Sequence, residues 1–480
     1  MRLILAFAIS LTTAGLFVQT GYKIDFTVKG LHDTTAYLGY FYQEKTYVAD
    51  TAKVNATGNF TFDGSKTLPQ GIYFLVLDKS RVFDFVVGEN QRFSLATSTE
   101  DYIKNMVVKG DVDNQLFFDN IFYNDKIQKE AEPNLKIVKD STLKDDAKKA
   151  AREALTELNK KVTKHSEEII QQHPKTLTVR FMNINRPVQI PEPPKKANGS
   201  IDSTFQLKWY RQHYFDYFDL ADEAMLRMPK VFYWDKVKDY LDRLYIQQPD
   251  TISKAIDNLV AIAKKNKDTY KYLVWNVTVN YQNPSIMGLD EVYVHMYDKY
   301  FATGEMDYWL DKKTVQNMKD FADKVRLATI GTTAPNMIMQ NDKLQPKALY
   351  DIKNKYTIIF FFKPTCGHCR EETPKLLNFY TAKKAKYNLE VFAVATDTSM
   401  KEMRDFIKEF KTPWTTVNGP RTYQKEHFSK QYYAELTPTV YIIDEKKKII
   451  ARKIDVEQID NFLTNYESML KRKQSASPKS

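Results

Sequence analysis

The run Ile358-Ile-Phe-Phe-Phe362 carries no polar side chain, and four residues beyond it comes Cys366, followed by Cys369, the only two cysteines in the chain. A short, unbroken apolar run rich in β-branched and aromatic residues reads as a buried strand. The segment Cys366-Gly-His-Cys-Arg-Glu-Glu-Thr-Pro374 then takes up a helical pattern. The two thiols therefore fall in the first turn of a helix that follows a core strand.

The 480 residues suggest two to four domains. A net charge of +11 hints at nucleic acid or membrane, but 71 basic residues are spread along the chain and offset locally by 60 acidic ones. That pattern is a solvated basic surface, and no nucleic-acid partner is expected. Zinc-finger spacings, a P-loop and a dinucleotide-binding glycine fingerprint are all missing from the sequence.

Residues 1–20 have the layout of a secretory signal peptide: Arg2, an apolar run from Leu3 to Val18, and small residues around Thr13 to Gly15. The run is short of the ~20 residues a membrane span needs, so cleavage between Ala14 and about Gly21 is expected, with no transmembrane span afterwards. No cysteine closely follows it, which excludes a lipoprotein anchor. A large exported protein with one C-x-x-C and no other thiol cannot build a disulfide framework, so the pair reads as a redox device. Zinc would need about four ligands, and the seven histidines are scattered, so no metal is expected.

Residues 21–120 alternate as short strands (22–28, 35–41, 58–64, 71–77, 82–87 and 91–96), which predicts an all-β antiparallel sandwich. Residues 121–327 read as an all-α domain. Its first helix starts near Asp140 or Ser141 and runs to Gln172, where His173-Pro174 stops it. A proline-rich loop occupies 185–203, and helices follow over 207–227, 235–246, 251–265, 268–283, 289–301 and 312–326. Asp216, Asp219, Asp222 and Glu223 beside His213 have a metal-binding composition, but acids alternating with aromatics on a helix read as its wet face.

Residues 328–472 begin with the extended lead-in Gly331-Thr-Thr-Ala-Pro335. The order that follows is strand 357–362, helix 366–386, strand 389–395, helix 400–410, strand 438–444, hairpin partner 448–453 and helix 457–469. This predicts an α/β thioredoxin fold. Residues 473–480 read as a disordered tail.

From about residue 328 to 470 the chain resembles the TlpA/ResA branch of thioredoxin-like thiol-disulfide oxidoreductases, which overlaps with the AhpC/TSA group. The resemblance rests on the lead-in, on Cys366 to Pro374 with its acid at Glu372, and on Thr437-Pro438-Thr439-Val-Tyr-Ile-Ile-Asp444. It implies a cis-proline at Pro438 facing the active site, exported protein thiols as clients and a membrane or periplasmic electron partner. It also implies a location in the periplasm of a Gram-negative bacterium. The strands and the helical middle, particularly His213-Tyr-Phe-Asp-Tyr-Phe-Asp219, resemble uncharacterised modules fused ahead of such domains. Where many relatives carry Trp before the first cysteine, this chain has Thr365. Gly367-His368 resembles the dipeptide of protein disulfide isomerase, which implies a less reducing couple than thioredoxin itself.

The chemistry follows from the residue types. The thiolate is the nucleophile, and a free cysteine with a pKa of about 8.5 is mostly protonated at neutral pH. A helix N-terminus stabilises the Cys366 anion, and Cys369, one turn on, can close a short disulfide, so that no cofactor beyond the pair is required. His368 adds positive charge nearby, or is an exposed loop histidine. Glu372 shuttles the proton of Cys369, or is a surface acid paired with Lys or Arg. If the Thr437-Pro438 peptide is cis, as the resemblance implies, it leaves a neighbouring backbone edge free for an extended client.

Two alternatives stand beside the oxidoreductase reading. A thiol peroxidase of the AhpC/TSA kind needs Thr or Ser three residues before the reactive cysteine and Pro four before that, where this chain has Lys363 and Ile359. A binding protein would capture a partner with its first two domains and keep the redox domain secondary.

Overall fold

The computed structural model describes residues 21–195, 198–396 and 399–476. The expected signal peptide lies outside the described residues. No described helix is long and apolar enough to cross a membrane.

The chain divides into two compact units, one reaching to Leu244 and including Ile262–Tyr270, the other made of Tyr245–Ala261 and Lys271 onward. The helical middle region expected from sequence is present, but its helices are shared between these units.

In the first unit, eight strands form two four-stranded sheets: β1 (Tyr22–Lys29), β2 (Thr35–Tyr42), β3 (Lys45–Lys53), β4 (Asn59–Gly64), β5 (Gly71–Leu77), β6 (Ser80–Val87), β7 (Arg92–Ser98) and β8 (Val107–Lys109). The sheet orders are β4-β1-β7-β8 and β3-β2-β5-β6. Alternate apolar residues of both sheets, among them Phe26, Phe62, Leu38, Leu75 and Phe85, meet in one core, so the pair is a sandwich. It is not wholly antiparallel, because β1 and β7 run parallel.

The boundary expected at residue 120 falls inside helix α1 (Val112–Lys139). Asp111 caps that helix by accepting from the Asn114 N–H at 2.8 Å. The buried Asn114 side chain bonds both the N–H and the carbonyl of Val86 on β6, and Phe118 enters the sandwich core. Helix α1 is thus part of the β unit. Asp140 closes α1 rather than opening the next helix, which is α2 (Asp145–Gln172). Then come α3 (Leu177–Asn183), α4 (Phe205–His213), α5 (Phe232–Leu244), α6 (Pro249–Ala263), α7 (Lys267–Asn280), α8 (Asp290–Met296) and α9 (Lys312–Val325).

The single helix expected over 207–227 stops at His213. Beyond it, Asp219 and Asp222 accept from the N–H groups of Ala221 and Ala224, each two residues ahead. Short acidic side chains that bind their own backbone compete with helix and terminate it.

The second unit carries a seven-stranded sheet in the order β10-β9-β13-β12-β11-β14-β15. Its strands are β9 (Ile338–Asn341), β10 (Pro346–Ala348), β11 (Tyr356–Phe362), β12 (Leu389–Ala395), β13 (Thr415–Thr422), β14 (Thr439–Asp444) and β15 (Ile449–Arg452). Helices α10 (Gly367–Tyr387), α11 (Met400–Phe410) and α12 (Ile459–Ala476) complete a thioredoxin fold. Helix α12 continues to Ala476, so the first four residues of the expected tail are helical.

Every residue of β11 is buried. It pairs in parallel with β12 and antiparallel with β14, which closes both edges. Ile358, Phe360 and Phe362 pack into one layer of core, Ile359 and Phe361 into the other.

One buried ion pair fastens α8 to this sheet. Arg452 on β15, with its side chain 1% exposed, donates through Nη2 to Asp290 Oδ1 at 2.7 Å and through Nη1 to the Val325 carbonyl at 2.8 Å. Removing one partner of a buried pair leaves the other charged and unsolvated, which costs about 3–5 kcal/mol. Asp290→Ala is therefore expected to lower stability by about that amount, read as a drop in the urea midpoint of thioredoxin-domain unfolding, with Asp290→Asn less severe. An unchanged midpoint in Asp290→Ala would show that the pair does not hold this unit.

Candidate functional site

The end of β11 fixes where the thiols stand. Pro364 ends the strand without needing an N–H partner, and the Cys366 N–H donates to the Lys363 carbonyl at 3.0 Å in the turn that follows. Cys366, with φ −78° and ψ 124°, is the N-cap of α10, so its sulfur faces the unpaired N–H groups of the first turn. Both cysteines are free thiols. Cys366 is partly exposed, and Cys369, one turn in, is fully buried in the core beneath β11.

The two sulfurs have opposite acidities. Partial burial opposes ionisation of Cys366, but the Cys369 N–H and thiol, the Thr437 hydroxyl and the His368 N–H outweigh it and hold its pKa below the ordinary thiol value. Burial pushes Cys369 up to about 11, against the lowering effect of the Lys363 N–H, which donates to its sulfur at 3.4 Å. The neighbouring Cys366 adds to the rise. Cys366 is thus the more readily ionised of the two sulfurs and Cys369 the less.

Thr437 closes the site from the far side of the sheet's C-terminal edge. The Thr437-Pro438 peptide is cis. The Thr437 carbonyl accepts from the Cys366 thiol at 3.4 Å, while its hydroxyl favours the thiolate, so one residue serves both protonation states.

Three expected side chains behave differently. His368 is 84% exposed and turned to Glu371 at 3.4 Å, so what it gives Cys366 is its main-chain N–H rather than its imidazole. Glu372 lies half-buried on α10 with its carboxylate 2.8 Å from Lys375 Nζ, and Lys375 also reaches Glu457 at 2.8 Å. Gly367 has open space around it: a Cβ there would meet nothing within 4 Å, so packing does not demand glycine.

The Cys369 and His368 N–H groups are the helix N-terminal donors that the sequence led one to expect, whereas the Lys363 N–H, which donates to Cys369, lies before the helix and leaves no mark on residue type. The acidic cluster near His213 is dispersed among local partners. Asp216 meets His213 at 2.7 Å, Asp222 meets Arg180, and Glu223 lies near Arg227. No metal-binding group of His, Cys, Asp and Glu occurs among the described residues.

Residues 330–452 match the AhpC/TSA family. The C-terminal domain is AhpC/TSA-related and thioredoxin-like. Residues 146–325 and 22–117 match two domains of unknown function, DUF5106 and DUF4369. The chain is 27% identical over 96 residues to a thioredoxin-like protein of Haemophilus influenzae, covering 20% of this chain and 52% of that one. It thus spans about half the length of that relative. It is 25% identical to the thiol-disulfide oxidoreductase ResA of Geobacillus kaustophilus over 30% of this chain and 80% of that protein. Among solved structures, a domain of a possible thiol-disulfide isomerase from Cytophaga hutchinsonii is 35% identical, covering 31% of this chain and 99% of that one, with a TM-score of 0.29.

The acidity difference within this AhpC/TSA-related domain has a direct readout. A lowered Cys366 pKa means that its thiolate forms at a pH below that of a free thiol, near 8.5, whereas Cys369 stays protonated until about 11. Brief iodoacetamide treatment of the reduced protein at pH 7.5 is expected to alkylate Cys366 alone, and Cys366→Ser to leave the chain almost unlabelled. Equal labelling of both cysteines by peptide mass mapping would contradict the asymmetry.

Proposed function

We propose that this protein is an extracytoplasmic thiol-disulfide oxidoreductase that exchanges dithiol for disulfide with exported protein clients through Cys366 and Cys369. The observation that carries the reading is the pairing of an acidified, accessible sulfur at a helix N-terminus with a buried, protonated one three residues on.

In the reducing direction, the Cys366 thiolate attacks one sulfur of a client disulfide. The client S–S bond breaks, its second sulfur leaves as thiolate and takes a proton, and Cys366 is joined to the client. Cys369 then loses its proton and attacks Cys366 Sγ. The mixed disulfide breaks, the client departs with both sulfurs reduced, and the protein keeps the two-electron oxidised product, the Cys366–Cys369 disulfide. A membrane or periplasmic electron partner returns it to the dithiol, and the reverse sequence oxidises a client.

In this reading Glu372 takes the Cys369 proton. It is three residues further along α10, on the same helical face, and is paired with Lys375 at 2.8 Å. The backbone beside Pro438 receives an extended client segment, and Gly367, with open space over it, lets that segment approach the sulfur. Export by the N-terminal apolar run places the protein in the periplasm. Peroxide chemistry is disfavoured, because Ile359 is a fully buried strand residue where that site would need proline.

Cys366→Ser is expected to reduce insulin reductase activity to the uncatalysed background, and Cys369→Ser to accumulate clients as mixed disulfides visible on non-reducing gels. Retained turnover in Cys366→Ser would end this reading. Glu372→Gln is expected to leave alkylation of Cys366 unchanged while slowing release of the mixed disulfide roughly 10²-fold, the lower end of what a positioned acid–base group contributes. Unslowed release would remove Glu372 from the mechanism.

A further inference from the structure

The segment leading into Thr437 is gripped by a helix that lies outside the family-matched thioredoxin region. Helix α9 ends at Val325, before the AhpC/TSA match begins at residue 330. The Phe321 ring meets the Tyr433 ring edge-on, with centroids 6.0 Å apart at 86°, and is itself braced by Tyr293 of α8 at 4.8 Å. One turn further along α9, Lys324 Nζ reaches Glu435 at 2.8 Å. Residues 321 and 324 share a helical face, so one face of α9 holds two alternate residues of the segment.

Other contacts keep that segment from sliding. Lys453 Nζ stands 3.9 Å from the Tyr433 ring centroid, and the Tyr433 carbonyl accepts from the Tyr441 hydroxyl at 3.2 Å. Just beyond Glu435, the Leu436 carbonyl accepts from the Thr439 hydroxyl, which closes the turn around Thr437 and Pro438. Thr437 then meets Cys366 through its carbonyl and its hydroxyl. Hydrogen bonds to sulfur depend steeply on distance and angle, so fixing residues 433–436 fixes how well Thr437 serves the thiolate.

We propose that Phe321 and Lys324 are positioning residues for the redox site: through Tyr433 and Glu435 they hold Thr437 against Cys366. This assigns the last helix of the DUF5106-matched region a role in tuning the chemistry of the domain that follows. It rests on Cys366 being the reactive sulfur, but not on any client or direction of electron flow.

The test uses the full-length reduced protein and measures the rate of iodoacetamide alkylation at Cys366, by peptide mass mapping, from pH 5 to 10. In Phe321→Ala/Lys324→Ala the midpoint is expected to move up towards the free-thiol value and the rate at pH 7 to fall roughly five-fold. Phe321→Tyr/Lys324→Arg is expected to restore both. Lys324→Ala alone alters only a surface ion pair and preserves the fold, and its rate at pH 7 is expected to fall about two-fold, within what such pairs are worth. A wild-type profile in the double variant, or an unchanged rate in Lys324→Ala, overturns the proposal. Alkylation needs no turnover, so this outcome stands apart from the insulin assay that decides whether the protein is an oxidoreductase at all.

Discussion

The redox site depends on one constraint, that β11 has nowhere to lie but the middle of its sheet. Seven consecutive buried residues feed two core layers and pair on both edges, leaving the strand no freedom to shift. A one-residue slip would exchange every side chain between the layers. The position of residue 362 is therefore set by packing, and the turn to Cys366 inherits that rigidity. Donors held in place by a core do not have to reorganise when charge develops on the sulfur, which is where their electrostatic value lies.

Much of the second unit was legible because its elements carry strong local signals. Strand β12 is an apolar run, α11 is strongly amphipathic with a Ser399 cap, and β14 follows Pro438 at once; all lie within a residue of expectation. Strand β13 was not legible. Its sequence Thr415-Thr-Val-Asn-Gly-Pro-Arg-Thr422 contains Gly-Pro, which argues for a turn, yet the strand accommodates it in an irregularity between Asn418 and Thr422 in its pairing with β9. Helix α1 escaped notice for a similar reason: Pro133 lies inside it, and its stability comes from the sandwich core and from Asn114 bonding to Val86. Tertiary contact decided both cases, and tertiary contact has no local spelling.

The candidate site divides along the same line. The cysteines and the helix start are tied to residue types at fixed spacing, the cis-proline is what the family resemblance implied, and the structure brings Cys366, Cys369 and Thr437 together. What sets the two acidities apart is the difference in burial, together with the main-chain N–H groups of Cys369 and His368 that serve Cys366; the Lys363 N–H works against the gap by lowering Cys369. His368 shows the difference best. Its identity drew attention to an imidazole, while the group that serves the sulfur is an amide that any residue but proline would supply.

In the proposed exchange cycle the same asymmetry raises a problem. With its pKa near 11, only about one Cys369 in 10⁴ is ionised at pH 7, so the second attack would be slow if that acidity persisted. Part of the rise comes from Cys366, both through its charge and through the thiol hydrogen bond it receives. Once Cys366 is joined to a client its charge is gone and both contributions fall away, so Cys369 grows more acidic when its attack is needed. The remaining contribution is burial, and a thiol so held needs a base to take its proton. In the proposed function that base is Glu372, one turn on along α10 and 2.8 Å from Lys375 Nζ. In that proposed cycle the resolving thiol is withheld until a client is attached, and the attachment itself lowers its pKa.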